Sequence, residues 1–65
     1  MPLVEVTLVQ GRAPHQLRAL ISELTDAVET ALGASRSTIR VVLREVPDTH
    51  WAAGDVTIAE RNKGS

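Results

Sequence analysis

The sequence has 65 residues, 43% of them apolar and eight of those Ala, with seven basic and eight acidic side chains giving a formal net charge of −1. Cysteine is absent, which excludes disulfides, thiolate zinc sites and iron–sulfur clusters, and His15 and His50 sit in no ligand-like spacing. With no basic excess and one aromatic residue, Trp51, the chain is a poor match for nucleic acid, and no apolar run nears the ~20 residues of a membrane span.

In chain order, Leu3 to Val9 is rich in β-branched residues and alternates. Val4, Val6 and Leu8 point to one face, and Leu3, Glu5, Thr7 and Val9 to the other. Gln10-Gly11 ends this strand. Pro14 suits the first turn of a helix, although Ala13 is a poor N-cap. Leu17, Leu20, Ile21, Leu24, Val28, Ala31 and Leu32 then form an apolar stripe at three-and-four spacing, with Arg18, Ser22, Glu23, Asp26 and Glu29 on the wet side. Gly33 supplies the stop.

A second strand is expected from Thr38 to Val46. Ile39, Val41 and Leu43 share one face, and Arg40, Val42 and Arg44 the other. Pro47-Asp48 breaks it, His50 to Ile58 reads as a loop or short hairpin around Gly54, and the polar tail 60–65 is expected to fray. The fold class is α/β, a right-handed β-α-β unit with two parallel strands in a single domain over residues 1–65. Such a unit leaves both sheet edges open and one face uncovered. A core of this size is also marginal, because a 60-residue domain buries only about 60% of the surface of its unfolded chain. Topology and core size together call for self-association.

Few residues offer chemistry. Pro2 follows the initiator Met, either simply as a common second residue or as a rigid secondary amine that removal of Met1 would free. Burial near cations disfavours the charged form of such an amine, leaving a neutral general base near pH 7. Arg40 interrupts an apolar strand. It either binds an anion or snorkels to water, with Glu45 as an alternative partner. Arg12, beyond Gly11, is either a solvated loop charge or a carboxylate ligand, for which its planar fork is suited. Arg44 and His50 read as surface residues, and Trp51 as a pocket wall or an interface residue.

The start Pro2-Leu3, the turn Gly11-Arg12, the strand Ile39-Arg40-Val41-Val42 and the segment from Glu45 to His50-Trp51 together resemble the 4-oxalocrotonate tautomerase family. The resemblance runs from Pro2 to about Ile58. It implies a β-α-β monomer with a short C-terminal hairpin that dimerises into a four-stranded sheet, three dimers forming a hexamer. It also implies an isomerase acting on an unsaturated 2-oxo acid; the lack of a span or leader pattern reads as a cytoplasmic protein, and the lack of a ligand cluster as one without cofactor or metal. By position, Pro2 would be the base. Arg40, from a neighbouring subunit, would bind the 2-oxo and carboxylate oxygens, and Arg12 the distant carboxylate. Trp51 would stand where the family usually has Phe, with Val9 and Ala53 completing an apolar wall. The chain departs from the family at Ala13-Pro14, at Gly54-Asp55 where glycines are fewer, and at the small Ala53. The 3-chloroacrylic acid dehalogenases are similar too, and they require a glutamate near Ala53, where this chain has no acid. Hydration or dehalogenation is therefore the alternative chemistry, and a non-catalytic oligomeric carboxylate-binding module the alternative class.

Overall fold

Alternation builds the sheet of this protein, whose computed structural model describes residues 2–63. Strand β1 (Leu3–Val9) pairs in parallel with β2 (Arg40–Val46), with Leu3 opposite Arg40, Glu5 opposite Val42 and Val9 opposite Val46. Val4, Val6, Leu8, Val41 and Leu43 are half-buried on one side, whereas Leu3, Glu5, Thr7, Arg40, Val42 and Arg44 are exposed on the other. Helix α1 (Pro14–Leu32) connects the strands and covers the first side.

Ala13 is compensated at the helix start. Gln16 reaches back with its side-chain carbonyl to accept the Ala13 amide at 2.9 Å, the second half of a capping box without the first. At the other end Gly33 takes φ 66° and donates its N–H to the Glu29 carbonyl at 2.9 Å, the left-handed stop that glycine makes cheap. The apolar stripe is half-buried from Leu17 to Val28, but Ala31 and Leu32 remain exposed.

Two expectations need correction. The second strand starts at Arg40 rather than Thr38, because Arg36–Thr38 forms a 3-10 turn closed by the bond from the Ile39 amide to the Arg36 carbonyl. Arg40 is therefore the first residue of β2, not an interruption within it. The segment after Pro47 forms the short hairpin expected around Gly54. A 3-10 turn (Asp48–His50) leads into the hairpin β3 (Ala52–Ala53) and β4 (Val56–Thr57). Its two-residue turn has φ 58° at Gly54 and φ 68° at Asp55, the pattern that matches the twist of paired strands. The second correction is that the polar stretch from Glu60 does not begin as a frayed tail. Helix α2 (Ile58–Lys63) takes in residues up to 63, and residues 64 and 65 lie outside the described residues.

Helix α2 is secured by a reciprocal capping box. The Glu60 amide donates to the Thr57 hydroxyl oxygen at 3.1 Å, while the Thr57 amide donates to Glu60 Oε1 at 3.0 Å. All this leaves little interior. Among the described residues Ile39 alone is buried, at 8% exposure, and on the open sheet face Leu3 and Val42 are 56% and 43% exposed.

Candidate active site

Pro2 and Arg40 meet at the N-terminal end of the sheet. The Arg40 amide donates to the Pro2 carbonyl at 2.9 Å, extending the parallel ladder one step ahead of β1. Alternation then separates the two side chains. Pro2 falls on the side of Val4, which α1 covers, whereas Arg40 shares the open face with its register partner Leu3. The Arg40 guanidinium is exposed and donates from Nη1 to the Ser37 carbonyl at 2.8 Å. Arg40 and Glu45 stand five apart along β2, hence on opposite faces, and form no ion pair among the described residues. The character of the Pro2 nitrogen depends on Met1, which lies outside the described residues.

The opposite end carries the other candidates. Val9 closes β1 and is half-buried. The chain turns through Gly11 at φ 130°, a conformation that L side chains rarely adopt, and reaches Arg12. Arg12 is exposed and has no hydrogen bond or ion pair among the described residues. Val9, Gly11, Pro47, Asp48 and Ile58 help to line a cavity of about 350 Å³, whose lining does not include Arg12, Trp51 or Ala53. Trp51 is 39% exposed, and its carbonyl accepts the Ile58 amide at 3.0 Å. Ala53 is exposed in β3, and its carbonyl accepts Arg61 Nη2 at 3.1 Å.

One chain therefore holds its candidate residues in two groups, two candidate half-sites. At roughly 3.3 Å per residue, the seven residues of β1 put about 20 Å between its ends. Pro2 and the Arg40 backbone stand at one end, with Val9, Arg12, Trp51 and Ala53 at the other. The two surface assignments agree with the structure. Arg44 is exposed and 3.6 Å from an equally exposed Glu5, and His50 is exposed with Nδ1 3.0 Å from the Thr49 hydroxyl. No group of three or more His, Cys, Asp or Glu among the described residues is placed to hold a metal.

Four residues around the half-sites escape a reading of side-chain types. Glu60 and Arg61 fasten α2 to the hairpin, and the Thr57-x-x-Glu60 spacing was the signal for it. Arg36 and Ser37 lie in the turn that precedes Arg40, but a carbonyl such as that of Ser37 leaves no mark in the sequence.

Comparison with known proteins adds the lineage. A family model described as "Tautomerase enzyme" matches residues 2–61. The probable tautomerase of Ralstonia nicotianae is 46% identical over 56 residues, covering 86% of this chain and 80% of the relative. Among solved structures, a 4-oxalocrotonate tautomerase homologue of the tomaymycin biosynthetic pathway is 39% identical, with a TM-score of 0.93 over 95% of each chain. The heterohexamer 4-oxalocrotonate tautomerase from Chloroflexus aurantiacus is 33% identical, with a TM-score of 0.88 over 92% of this chain and 97% of its own.

Proposed function

The chain belongs to the tautomerase family, and from that membership we propose that it is an isomerase that moves a proton within an unsaturated 2-oxo acid, with Pro2 as the general base. The observation that carries this reading is the family match over residues 2–61, which begins at Pro2. The substrate is a 2-hydroxydienoate such as 2-hydroxymuconate. With Met1 removed, the Pro2 nitrogen holds a lone pair and takes the 2-hydroxyl proton. The O–H electrons close the C2 carbonyl, the double bonds shift along the chain, and protonated Pro2 returns the proton to a remote carbon. Negative charge gathers on the 2-oxo oxygen on the way. A guanidinium there stabilises the transition state more than the ground state.

Arg40 of a neighbouring subunit is assigned that role, and Arg12 the distant carboxylate. The separation of Pro2 and Arg40 onto opposite sides of the sheet favours an Arg40 from another copy. The length of β1 favours an Arg12 from another copy as well. Trp51, Val9 and Ala53 form the apolar wall. The assembly follows from the same reasoning. Two copies join their sheets into one of four strands, and three such dimers form a hexamer, an assembly size that one related structure also has.

The test uses protein of confirmed N-terminus, assayed on mono- and dicarboxylate 2-hydroxydienoates. Turnover should require a free Pro2 amine and disappear when that amine is blocked. Full activity with Met1 retained overturns the assignment, because an amide nitrogen has no basicity. Chloride release from 3-chloroacrylate at a rivalling rate would instead favour the hydratase or dehalogenase chemistry. Tight carboxylate binding without turnover would favour a binding module.

A further inference from the structure

The connection from α1 to β2 is tied down more firmly than an exposed loop needs. Arg36 Nη1 donates to Asp26 Oδ1 at 2.6 Å and to Glu29 Oε1 at 2.9 Å. These two acids stand three apart on α1, so they present neighbouring carboxylates on one helix face. The 3-10 turn that Arg36 opens is closed by the bonds from the Thr38 amide to the Ser35 carbonyl and from the Ile39 amide to the Arg36 carbonyl, at 2.9 and 3.1 Å. The Thr38 hydroxyl adds a second donor to the Ser35 carbonyl at 2.8 Å. The next carbonyl in the turn, that of Ser37, accepts Arg40 Nη1 at 2.8 Å. Arg36 and Ser37 are consecutive residues.

Stability does not account for this arrangement. All three charged side chains are at least 43% exposed, and ion pairs in water contribute little because solvent screens them and two long side chains must be held still. What the arrangement does is fix a direction. An unheld arginine samples many rotamers, whereas one Nη1 on a fixed carbonyl leaves the remaining N–H groups of the planar fork aimed as a unit.

We propose that Arg36 is a positioning residue: its hold on Asp26 and Glu29 fixes the Ser37 carbonyl, and that carbonyl aims the Arg40 guanidinium at the substrate's 2-oxo group. The inference rests on the reading that Arg40 binds that group. Arg36 touches no substrate. Its effect falls on how well Arg40 meets the developing charge, which is a matter of geometry of the kind that costs rate when misplaced.

Steady-state kinetics on the best 2-hydroxydienoate test it, beside the assembly state and thermal unfolding of each variant. Arg36→Ala should lower kcat roughly threefold to tenfold with KM little changed and the assembly intact. Arg36→Lys, which keeps a cation for the two acids, should recover much of the loss. The double variant Asp26→Asn with Glu29→Gln should lose as much as Arg36→Ala, and adding Arg36→Ala to it should cost nothing more. An unchanged kcat in Arg36→Ala overturns the proposal, as do losses that multiply. So does a loss of kcat that merely follows dissociation of the assembly in both kinds of variant. Arg40→Ala separates the two readings. If it is damaging while Arg36→Ala is silent, only the positioning role falls; if Arg40→Ala keeps full kcat, the role assigned to Arg40 falls first.

Discussion

Arg12 and Arg40 carry the same charge, yet their surroundings differ, and the roles proposed for them differ with these. Arg40 has one N–H on the Ser37 carbonyl and is held in direction, whereas Arg12 follows a glycine turn and has no partner among the described residues. A held cation suits an oxygen whose charge grows during the reaction, and a loose one suits a carboxylate that changes little. Loss of Arg40 should therefore fall mainly on kcat, by the ~10²–10³ typical of a lost oxyanion donor. Arg12→Ala should mainly raise KM, by a smaller factor, because it removes binding shared by ground state and transition state. The contrast has an internal control. On a monocarboxylate dienoate Arg12 has nothing to hold, so Arg12→Ala should match the parent protein there. Equal damage on mono- and dicarboxylates would make Arg12 a structural residue and remove the case for a diacid.

At the scale of elements, the parts with a repeating pattern were legible and the parts fixed by single bonds were not. β1, α1 and the pairing face of β2 follow from alternation and three-and-four spacing, since each repeats its apolar signal several times. The start of β2 was misread because Thr38 and Ile39 look like strand, while two turn bonds to Ser35 and Arg36 claim their amides. The site residues were legible as types, but not their division between two ends of a sheet, which needs the parallel register. α2 is six residues long, too short for periodicity. It exists through its capping box, and that gives it a pH dependence. The Glu60 carboxyl is held below its ordinary value of 4.5, first by the Thr57 amide and then by the Thr57 hydroxyl. A lowered carboxyl stabilises the fold above its ordinary value, and that contribution is lost as pH falls through the lowered one. Because the Ile58 amide bonds the Trp51 carbonyl, Trp51 fluorescence should report an acid transition below pH 4.5. Glu60→Gln should remove that transition. Thr57→Ala, which deletes the other half of the box, should cost about 1 kcal/mol locally, seen as faster amide exchange at Glu60.

The whole molecule is a shape that makes little sense alone. Its radius of gyration is 15.2 Å and its extents are 46 × 25 × 14 Å, against a radius near 11 Å for a compact domain of this length. Among the described residues, one buried side chain, an uncovered sheet face with Leu3 and Val42 on it, and two open strand edges all favour contact with other copies. The half-sites ask for the same thing, since about 20 Å of β1 separates Pro2 from Arg12 within one chain. On the proposed reading, completing a site means bringing the Arg12 end of one copy to the Pro2 end of another. This can be tested by mixing two impaired proteins at a dicarboxylate concentration far below the KM of Arg12→Ala, where that variant turns over little. One has its terminal amine blocked and keeps Arg12; the other is Arg12→Ala and keeps a free Pro2. Unfolded together and refolded on a dicarboxylate substrate, they should regain activity, because some sites draw the amine from one chain and the arginine from the other. If the two kinds of chain assemble at random in a symmetric oligomer, roughly a quarter of the sites are intact. A site built within one chain would recover nothing, since every chain in the mixture lacks one of the two groups. Recovery must also fall on dilution below the concentration at which light scattering shows the assembly coming apart, for a separated chain keeps neither a complete site nor a covered sheet.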